Sequence, residues 1–329
     1  MHNKIFSKAF LAIALILFSY LSPAQTIKVT LLGTGSPMPA IDRFGPSTLV
    51  EAGGQKFLFD CGRGAAMRLW QIQVPLGQID KLFLTHLHSD HIVGIPDVWL
   101  TGWIPAAYGR REVPLQVWGP RGTKAMMENM NKAFVWDITT RQKEQNKQDS
   151  GVMVHAKDIT QGIIYEKGGV KITAFIVDHA DFIDSALGYR IDYSGHSVIL
   201  SGDTRYNKNL IKYAKGADVV IHEVAAANKN SMQTSPLINQ ILGYHCSPED
   251  AGRVFEQVKP KLAVYNHIVR LTSSPDFPPP SLDDLIQRTR TTYKGPLQLG
   301  EDLMSIEIGY DVKVSKYSGQ GRKPTEIIK

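Results

Sequence analysis

The stretch Leu84-Thr85-His86-Leu87-His88-Ser89-Asp90-His91, which directly follows an apolar run, decides the fold of this chain. It places three of the ten histidines and one carboxylate within six residues. His86 and His88 stand two apart and can converge on one ion, whereas the adjacent pair Asp90 and His91 suits a second ion. Imidazole and carboxylate ligands without thiolate favour zinc, with manganese and iron as alternatives. The stretch therefore predicts a site for two metal ions.

Three further candidate ligands follow apolar runs elsewhere in the chain. His179 comes after a strand predicted over 170–177, Asp203 after one over 197–200, and His267 after one over 262–265. Side chains at the carboxyl ends of strands often meet at one edge of a sheet. Each of the three has a structural explanation on its own, but as a set of suitable types they complete a two-metal site.

The first 24 residues have the pattern of a secretory signal peptide. Lys4 and Lys8 precede the apolar run Ala9–Phe18, and cleavage is expected after Ala24. The apolar run is shorter than the roughly 20 residues that span a bilayer, so no stable membrane anchor is expected. The mature protein would then be periplasmic or secreted. The net charge of +6 falls by two with the leader, a mild excess that does not argue for nucleic-acid binding.

The remaining chain suits one α/β domain. Strands come as hairpins in the first half and alternate with helices later, which fits two mixed sheets with helices outside, a four-layer αββα sandwich. We predict this domain over residues 25–315 and a flexible tail over 316–329. Cys61 and Cys246 are too few for a disulfide framework, and a pair of free buried thiols is the simpler reading.

The chain resembles the metallo-β-lactamase superfamily, whose signature is Thr85–His91. Within it the chain resembles the ribonuclease Z-like branch and, more closely, the zinc arylsulfatase-like group, the latter through Trp99–Trp103. The other matching stretches are Leu31–Pro37, Phe59–Gly62, Ser201–Thr204, Gly216–Asp218, Ile221–Glu223, His245, Ser247–Gly252 and Asn266-His267.

The resemblance implies a role for each candidate residue. One zinc would be held by His86, His88 and His179, the other by Asp90, His91 and His267, and Asp203 would bridge the two. Glu223 and His245 match a pair beside the metals. Asp90 would also orient the attacking hydroxide, and His245, held by Glu223, would stabilise the transition state or protonate the leaving oxygen.

Three departures narrow the activity. A ribonuclease Z carries a long arm that grips transfer RNA after a Gly-Tyr pair, but only residues 190–200 separate Gly188-Tyr189 from Ser201, so transfer RNA is not expected as a partner. The β-lactamases of this fold lack an aspartate at the position of Asp203. Cys246-Ser247-Pro248-Glu249-Asp250 lacks the arginine of a formylglycine sulfatase. A sulfatase here would have to use metal.

The sequence thus predicts a secreted two-zinc hydrolase of sulfate esters, with aryl sulfates first. The alternative is a ribonuclease Z-like phosphodiesterase on small or nucleotide phosphodiesters, and a different class is a non-hydrolytic metal-binding or redox protein. The substrate is expected to be a small anionic ester, with Trp99, Trp103 and Tyr108 as a wall of its pocket. A homodimer is compatible with these observations. Arg110 and Arg111 are expected to be exposed cations.

Overall fold

A computed structural model of the protein describes residues 25–145, 150–319 and 326–328. The predicted leader over 1–24 lies outside the described residues. Among the described helices, none is both long enough and apolar enough to cross a membrane.

The strands in chain order are β1 Ile27–Gly33, β2 Ser47–Ala52, β3 Gln55–Phe59, β4 Lys81–Phe83, β5 Leu115–Gly119, β6 Val154–Asp158, β7 Gly162–Lys167, β8 Val170–Val177, β9 Ala186–Tyr193, β10 His196–Leu200, β11 Val219–Ala227, β12 Leu262–Leu271, β13 Leu297–Leu299, β14 Ser305–Ile308, β15 Val312–Ser315 and β16 Glu326–Ile328. The helices are α1 Ala65–Gln71, α2 Ser89–Ile92, α3 Ile95–Trp103, α4 Thr123–Ala133, α5 Val135–Gln145, α6 Lys208–Ala214, α7 Lys229–Thr234, α8 Pro236–Leu242, α9 Pro248–Val258 and α10 Leu282–Thr289.

These strands form two mixed sheets. The first has the order β16-β15-β14-β1-β2-β3-β4-β5-β6, and the second has the order β13-β12-β11-β10-β9-β8-β7. In both sheets, neighbouring parallel strands stand where a helix returns the chain to the same edge, as in β3-β4-β5 and β10-β11-β12. Parallel pairing places the carboxyl ends of those strands side by side. The histidine stretch follows β4 and Asp203 follows β10, whereas His179 follows β8, which pairs antiparallel with β9.

Successive side chains on each strand face opposite layers. In the first sheet Phe57 and Phe59 pack between the sheets, whereas Leu58 faces the helices α1 and α3. In the second sheet Val219 faces the other sheet, and Val220 faces the outer helices α6 and α9. The molecule therefore has three apolar layers between four layers of secondary structure, which confirms the predicted αββα sandwich in one domain.

The structure corrects the predicted substrate wall. Trp99 and Trp103 are 0% exposed and lie in the apolar layer between α3 and the first sheet. The indole Nε1 of Trp99 donates to the Val152 carbonyl oxygen at 2.8 Å. Both rings are thus core residues, because α3 turns its apolar face towards the sheet. Tyr108 packs edge-on against Trp70 with ring centroids 6.2 Å apart, and its role beside a substrate stays a prediction.

The structure also corrects Arg111, which is 1% exposed rather than a surface cation. Its guanidinium donates to the carbonyl oxygens of Gly151 at 3.0 Å and Val98 at 3.4 Å, and to that of Trp99.

In the predicted tail, β16 pairs with β15, so this part of the tail is a strand. The domain limits at residues 25 and 315 stay predictions.

Candidate metal centre

The histidine stretch is shaped by the carboxylate of Asp60 at the end of β3. Asp60 Oδ1 accepts from the Thr85 amide at 2.8 Å, and its Oδ2 accepts from the Thr85 hydroxyl at 2.9 Å. The chain then runs through His86 and His88 and turns into the short helix α2, which carries Asp90 and His91. Because this helix reverses direction directly after the loop, all four predicted ligands of the stretch return to one side.

Two local irregularities deliver the distant ligands. The pairing of β11 with β12 shifts between Glu223 and Val224, so His267 is an extra residue on β12 with a φ of 42°. A β-bulge of this kind re-aims a side chain out of the regular alternation. Asp203 follows Gly202, whose φ is 60°; a Cβ there would lie 2.5 Å from the Leu187 carbonyl oxygen. Only glycine fits this turn.

The predicted ligands form two groups in space. Ligand atoms of His86, His88 and His179 lie within 4.8 Å of one another, and so do those of the set Asp90, His91 and His267. These are the same two sets that the family resemblance implied. The distance between His179 Nε2 and His88 Nδ1 is 3.3 Å, and that between His267 Nε2 and Asp90 Oδ2 is 3.2 Å.

Asp203 lies between the two groups. Its Oδ2 is 3.3 Å from His267 Nε2 and 3.4 Å from His91 Nε2, on the side of the second group. The same oxygen is 3.8 Å from His179 Nε2 and 3.9 Å from His86 Nε2, on the side of the first. One carboxylate, 2% exposed, therefore reaches both groups.

The donor set fits zinc because its outward hydrogen bonds fix the tautomers. His91 Nδ1 donates to Asp60 Oδ2 at 2.8 Å, and His179 Nδ1 donates to the Tyr244 carbonyl oxygen at 3.0 Å. The Thr85 hydroxyl donates to Asp60, so His86 Nδ1 donates to Thr85 Oγ1 at 3.1 Å. In each neutral ring the Nε2 lone pair is then left for a metal, the usual arrangement of histidine ligands.

Several ligand atoms have no partner within the protein. His86 Nε2, His91 Nε2 and Asp203 Oδ1 are buried and make no hydrogen bond with any described residue. Buried polar atoms are nearly always paired, and exceptions require an explanation such as a bound ion. The unpaired atoms and the chemistry of the set agree on a metal.

The pKa values of the ligand histidines depend on their burial and on the neighbouring carboxylates. Burial, with His91 nearby, holds the pKa of His86 well below its usual value, which keeps this ring in the neutral form that binds metal. Burial also lowers the pKa of His91, but the Asp203 and Asp60 carboxylates outweigh it and hold that pKa well above its usual value. The carboxylates therefore favour positive charge at the centre of the cluster.

Glu223 and His245 form a second layer beside the ligands. Glu223 Oε1 accepts from His245 Nδ1 at 3.1 Å, from the Cys246 amide at 3.0 Å and from the Thr204 amide at 3.2 Å. Burial lowers the pKa of His245, but Glu223 raises it to about 9. His245 also has a ring nitrogen within 4.8 Å of ligand atoms on His179 and Asp203. Glu223 therefore holds the His245 ring in place at the edge of the cluster and favours its protonated form.

Two contacts of the site were not assigned from the sequence. Asp60 belongs to the family motif Phe59–Gly62, but nothing in the sequence indicates its hydrogen bonds to Thr85 or its φ of 55°. The Tyr244 carbonyl that orients His179 could not be found, since any residue supplies a carbonyl. The structure brings together all nine predicted ligand and catalytic residues.

Comparison with known proteins identifies the family. Residues 55–268 match the model of the beta-lactamase superfamily domain. A ribonuclease Z of Mycolicibacterium gilvum is 36% identical over 282 residues, which cover 86% of this chain and 96% of the relative. A ribonuclease Z of Mycobacterium marinum is 34% identical over 282 residues, covering 86% and 99%.

Solved structures share the fold. A metallo-beta-lactamase fold protein from Bacillus subtilis aligns with a TM-score of 0.65 at 20% identity, over 86% of this chain and all of the other. The short form of human tRNase Z aligns with a TM-score of 0.58 at 21% identity, over 85% and 98%.

These comparisons overturn two expectations. The prediction of a sulfate-ester hydrolase is wrong, because the similar proteins are ribonucleases Z and thus support the phosphodiesterase alternative. The exclusion of transfer RNA is wrong for the same reason. The β9–β10 turn does leave only Ser194 and Gly195 between the strands, yet the chain matches proteins named ribonuclease Z almost end to end. A short β9–β10 turn therefore does not separate this chain from the ribonucleases Z.

The predicted superfamily and two-zinc cofactor are confirmed, and the arylsulfatase-like link is not. The non-hydrolytic alternative is set aside. By its fold, its paired ligand groups and its relatives, the chain belongs to the metallo-β-lactamase superfamily, in the ribonuclease Z branch, and is a metal-dependent hydrolase.

Proposed function

We propose that the protein is a phosphodiesterase of the ribonuclease Z type, acting on RNA and on smaller nucleotide phosphodiesters. The observation that carries this proposal is the position of Asp203, whose one carboxylate oxygen lies 3.4 Å from His91 Nε2 and 3.8 Å from His179 Nε2. A carboxylate shared by two ligand groups suits a pair of metal ions acting on one phosphate. The similarity to the mycobacterial ribonucleases Z supports the same substrate class.

We assign His86, His88 and His179 to one zinc and Asp90, His91 and His267 to the other, with Asp203 shared. When bound, the two ions supply Lewis acidity and an activated water near neutral pH. The chain fixes the ligand rings through Asp60 and Tyr244, so little rearrangement is needed when substrate binds. Zinc content of variants at each of these positions tests the assignment.

The protein's own groups then handle the protons. Asp90 Oδ2 faces His91 and His267, at 3.5 and 3.2 Å, so its carboxylate stands where an attacking water is oriented. His245 is anchored by Glu223, which raises the pKa of this ring to about 9. It therefore donates a proton to the leaving oxygen or a hydrogen bond to the phosphate. A ribose leaving oxygen is a poor leaving group and depends on such a donor.

A substrate panel tests this function on the zinc-loaded protein. We expect turnover of bis(p-nitrophenyl) phosphate and of an RNA with a 3′ extension, loss of both on chelation, and loss of about 100-fold or more for Asp90→Asn. Asp276→Asn, at an exposed carboxylate, is the matched control and keeps wild-type rates. Cleavage of a β-lactam with no turnover of either phosphodiester would refute the proposal.

Export is a separate proposal, supported by the pattern of residues 1–24 alone. We expect the mature chain to begin at Gln25 and to be periplasmic or secreted. Cell fractionation with amino-terminal sequencing tests it, and an uncleaved cytosolic chain would contradict it.

A further inference from the structure

A cleft of about 580 Å³ opens directly beside the ligand cluster. His88 and Tyr244 line it, so its inner wall is formed by a proposed ligand and by the residue whose carbonyl orients His179. Clefts of this size commonly hold one small organic group. Because His88 is a proposed metal ligand, the cleft borders the metal centre and offers space for a part of a substrate held there.

The walls of this cleft combine apolar and polar side chains, and its apolar parts lie on two sides. Leu87 and Pro120 form one side, and Phe182 and Ile183 form the other. The Phe182 side chain is 95% exposed, so its ring buries almost nothing in the free protein. A planar ring at the mouth of a cleft that leads to the metals gains contact only when a ligand covers it.

The charges around the cleft are already paired. Arg121 and Asp184, which stand on its opposite sides, form an ion pair with 3.2 Å between Arg121 Nη1 and Asp184 Oδ2. Arg205, which lies over the Tyr244 ring, is bound by Asp178 and Asp181. A second phosphate would thus meet carboxylates as well as cations. The apolar surface, rather than the charge, favours an occupant.

We propose that this cleft is the subsite for one nucleobase, that of the nucleoside next to the scissile phosphate, and that Phe182 is its stacking residue. This rests on the proposed phosphodiesterase function. With the phosphate at the metals, the adjacent nucleoside reaches past His88 into the cleft, and its base lies against the Phe182 ring. Stacking accepts any base, so the subsite selects nucleotides over other phosphate esters without selecting a sequence.

The test compares two ligands that differ only in the base. Binding of adenosine 5′-monophosphate and of ribose 5-phosphate to the zinc-loaded protein is measured by calorimetry. We expect the nucleotide to bind more tightly in the wild type. Phe182→Ala should weaken nucleotide binding about 5- to 150-fold, the range found for loss of one base stack, and leave ribose 5-phosphate unchanged.

Two further variants complete the design. Phe182→Trp keeps a stacking ring and should retain tight nucleotide binding. Tyr310→Ala removes an aromatic side chain that is 93% exposed elsewhere, and should change neither affinity. Equal binding of the two ligands by the wild type, or unchanged nucleotide binding by Phe182→Ala, would overturn the subsite. Because binding is read without turnover, this failure is distinguishable from loss of the phosphodiesterase proposal, which depends on the substrate panel.

Discussion

Asp203→Asn is the sharpest perturbation of the proposed metal centre. Asparagine keeps the shape of the side chain but removes the charge of the one carboxylate that reaches both ligand groups. In the structure Asp203 Oδ2 lies 3.3 Å from His267 Nε2 and 3.9 Å from His86 Nε2, while Oδ1 has no partner among the described residues. We expect the variant to lose one of two zinc ions and most of its hydrolytic activity.

The size of the effect follows from binding linkage. An ion present at 100 times its dissociation constant stabilises the folded state by about 2.7 kcal/mol. Loss of one ion therefore removes about 2.7 kcal/mol of the stabilisation that zinc supplies. For about 300 residues, with an unfolding entropy of about 2.1 cal/mol/K per residue, that corresponds to a midpoint about 4 °C lower in the presence of zinc.

The assay combines metal analysis with thermal unfolding in zinc and in chelator. The comparison uses the increment that zinc adds to the midpoint, so any effect of the substitution on the metal-free protein cancels. Asp276→Asn serves as the control at an exposed carboxylate. If Asp203→Asn holds two equivalents of zinc and shows the wild-type increment, Asp203 does not bridge the ions and the assignment is wrong.

Three other predictions test the surroundings of the site. Asp60→Asn removes the charge that fixes a ligand ring at 2.8 Å, and should weaken zinc binding about 10- to 100-fold in a competition titration with a chromogenic chelator; an unchanged affinity would contradict its positioning role. Arg111→Lys breaks the buried fork of bonds to backbone carbonyls, and should lower the free energy of unfolding in urea by about 3 kcal/mol; a loss below 0.5 kcal/mol, roughly that of a surface change, would argue against that fork. Cys61 and Cys246 are free and buried, and burial raises both thiol pKa values. A thiol reagent at pH 8 should therefore label neither in the native protein and both after denaturation. Rapid labelling of the native protein would mean that the thiols are exposed.

Ligands were predictable from the sequence because each follows a strand whose apolar pattern is visible. Asp203 comes directly after β10, and His179 comes after β8, with apolar residues that pack in the sheet. Parallel or adjacent pairing then brings such ends to one edge, so residue type and position suffice. His267 is the exception in detail, since it lies within β12 on a bulge rather than beyond a strand end. Its type was informative even though its local geometry was not.

Trp99, Trp103 and Arg111 could not be placed because their environment depends on how the segment after the histidines folds back. A tryptophan-rich helix has the same composition whether it lines a cleft or packs on a sheet. Here α3 packs inward, and the chain beyond it returns so that Arg111 binds the carbonyl oxygens of Val98 and Trp99. That contact joins a buried cation to two carbonyl oxygens in the middle of α3. Only tertiary packing decides between these two outcomes.

On the proposed function, the structure favours recognition of a nucleic acid close to the metals. The β9–β10 connection consists of Ser194 and Gly195, so no extension rises from the second sheet at that point to hold a distant part of an RNA. The cations nearest the cleft, Arg121 and Arg205, are bound to carboxylates and add little long-range attraction. Beside the ligands lies a cleft of mixed polarity with the exposed Phe182 ring at its mouth. On the proposed function, discrimination therefore comes from the nucleoside that adjoins the scissile phosphate, and the exposure of Phe182 is the cost of keeping that contact available.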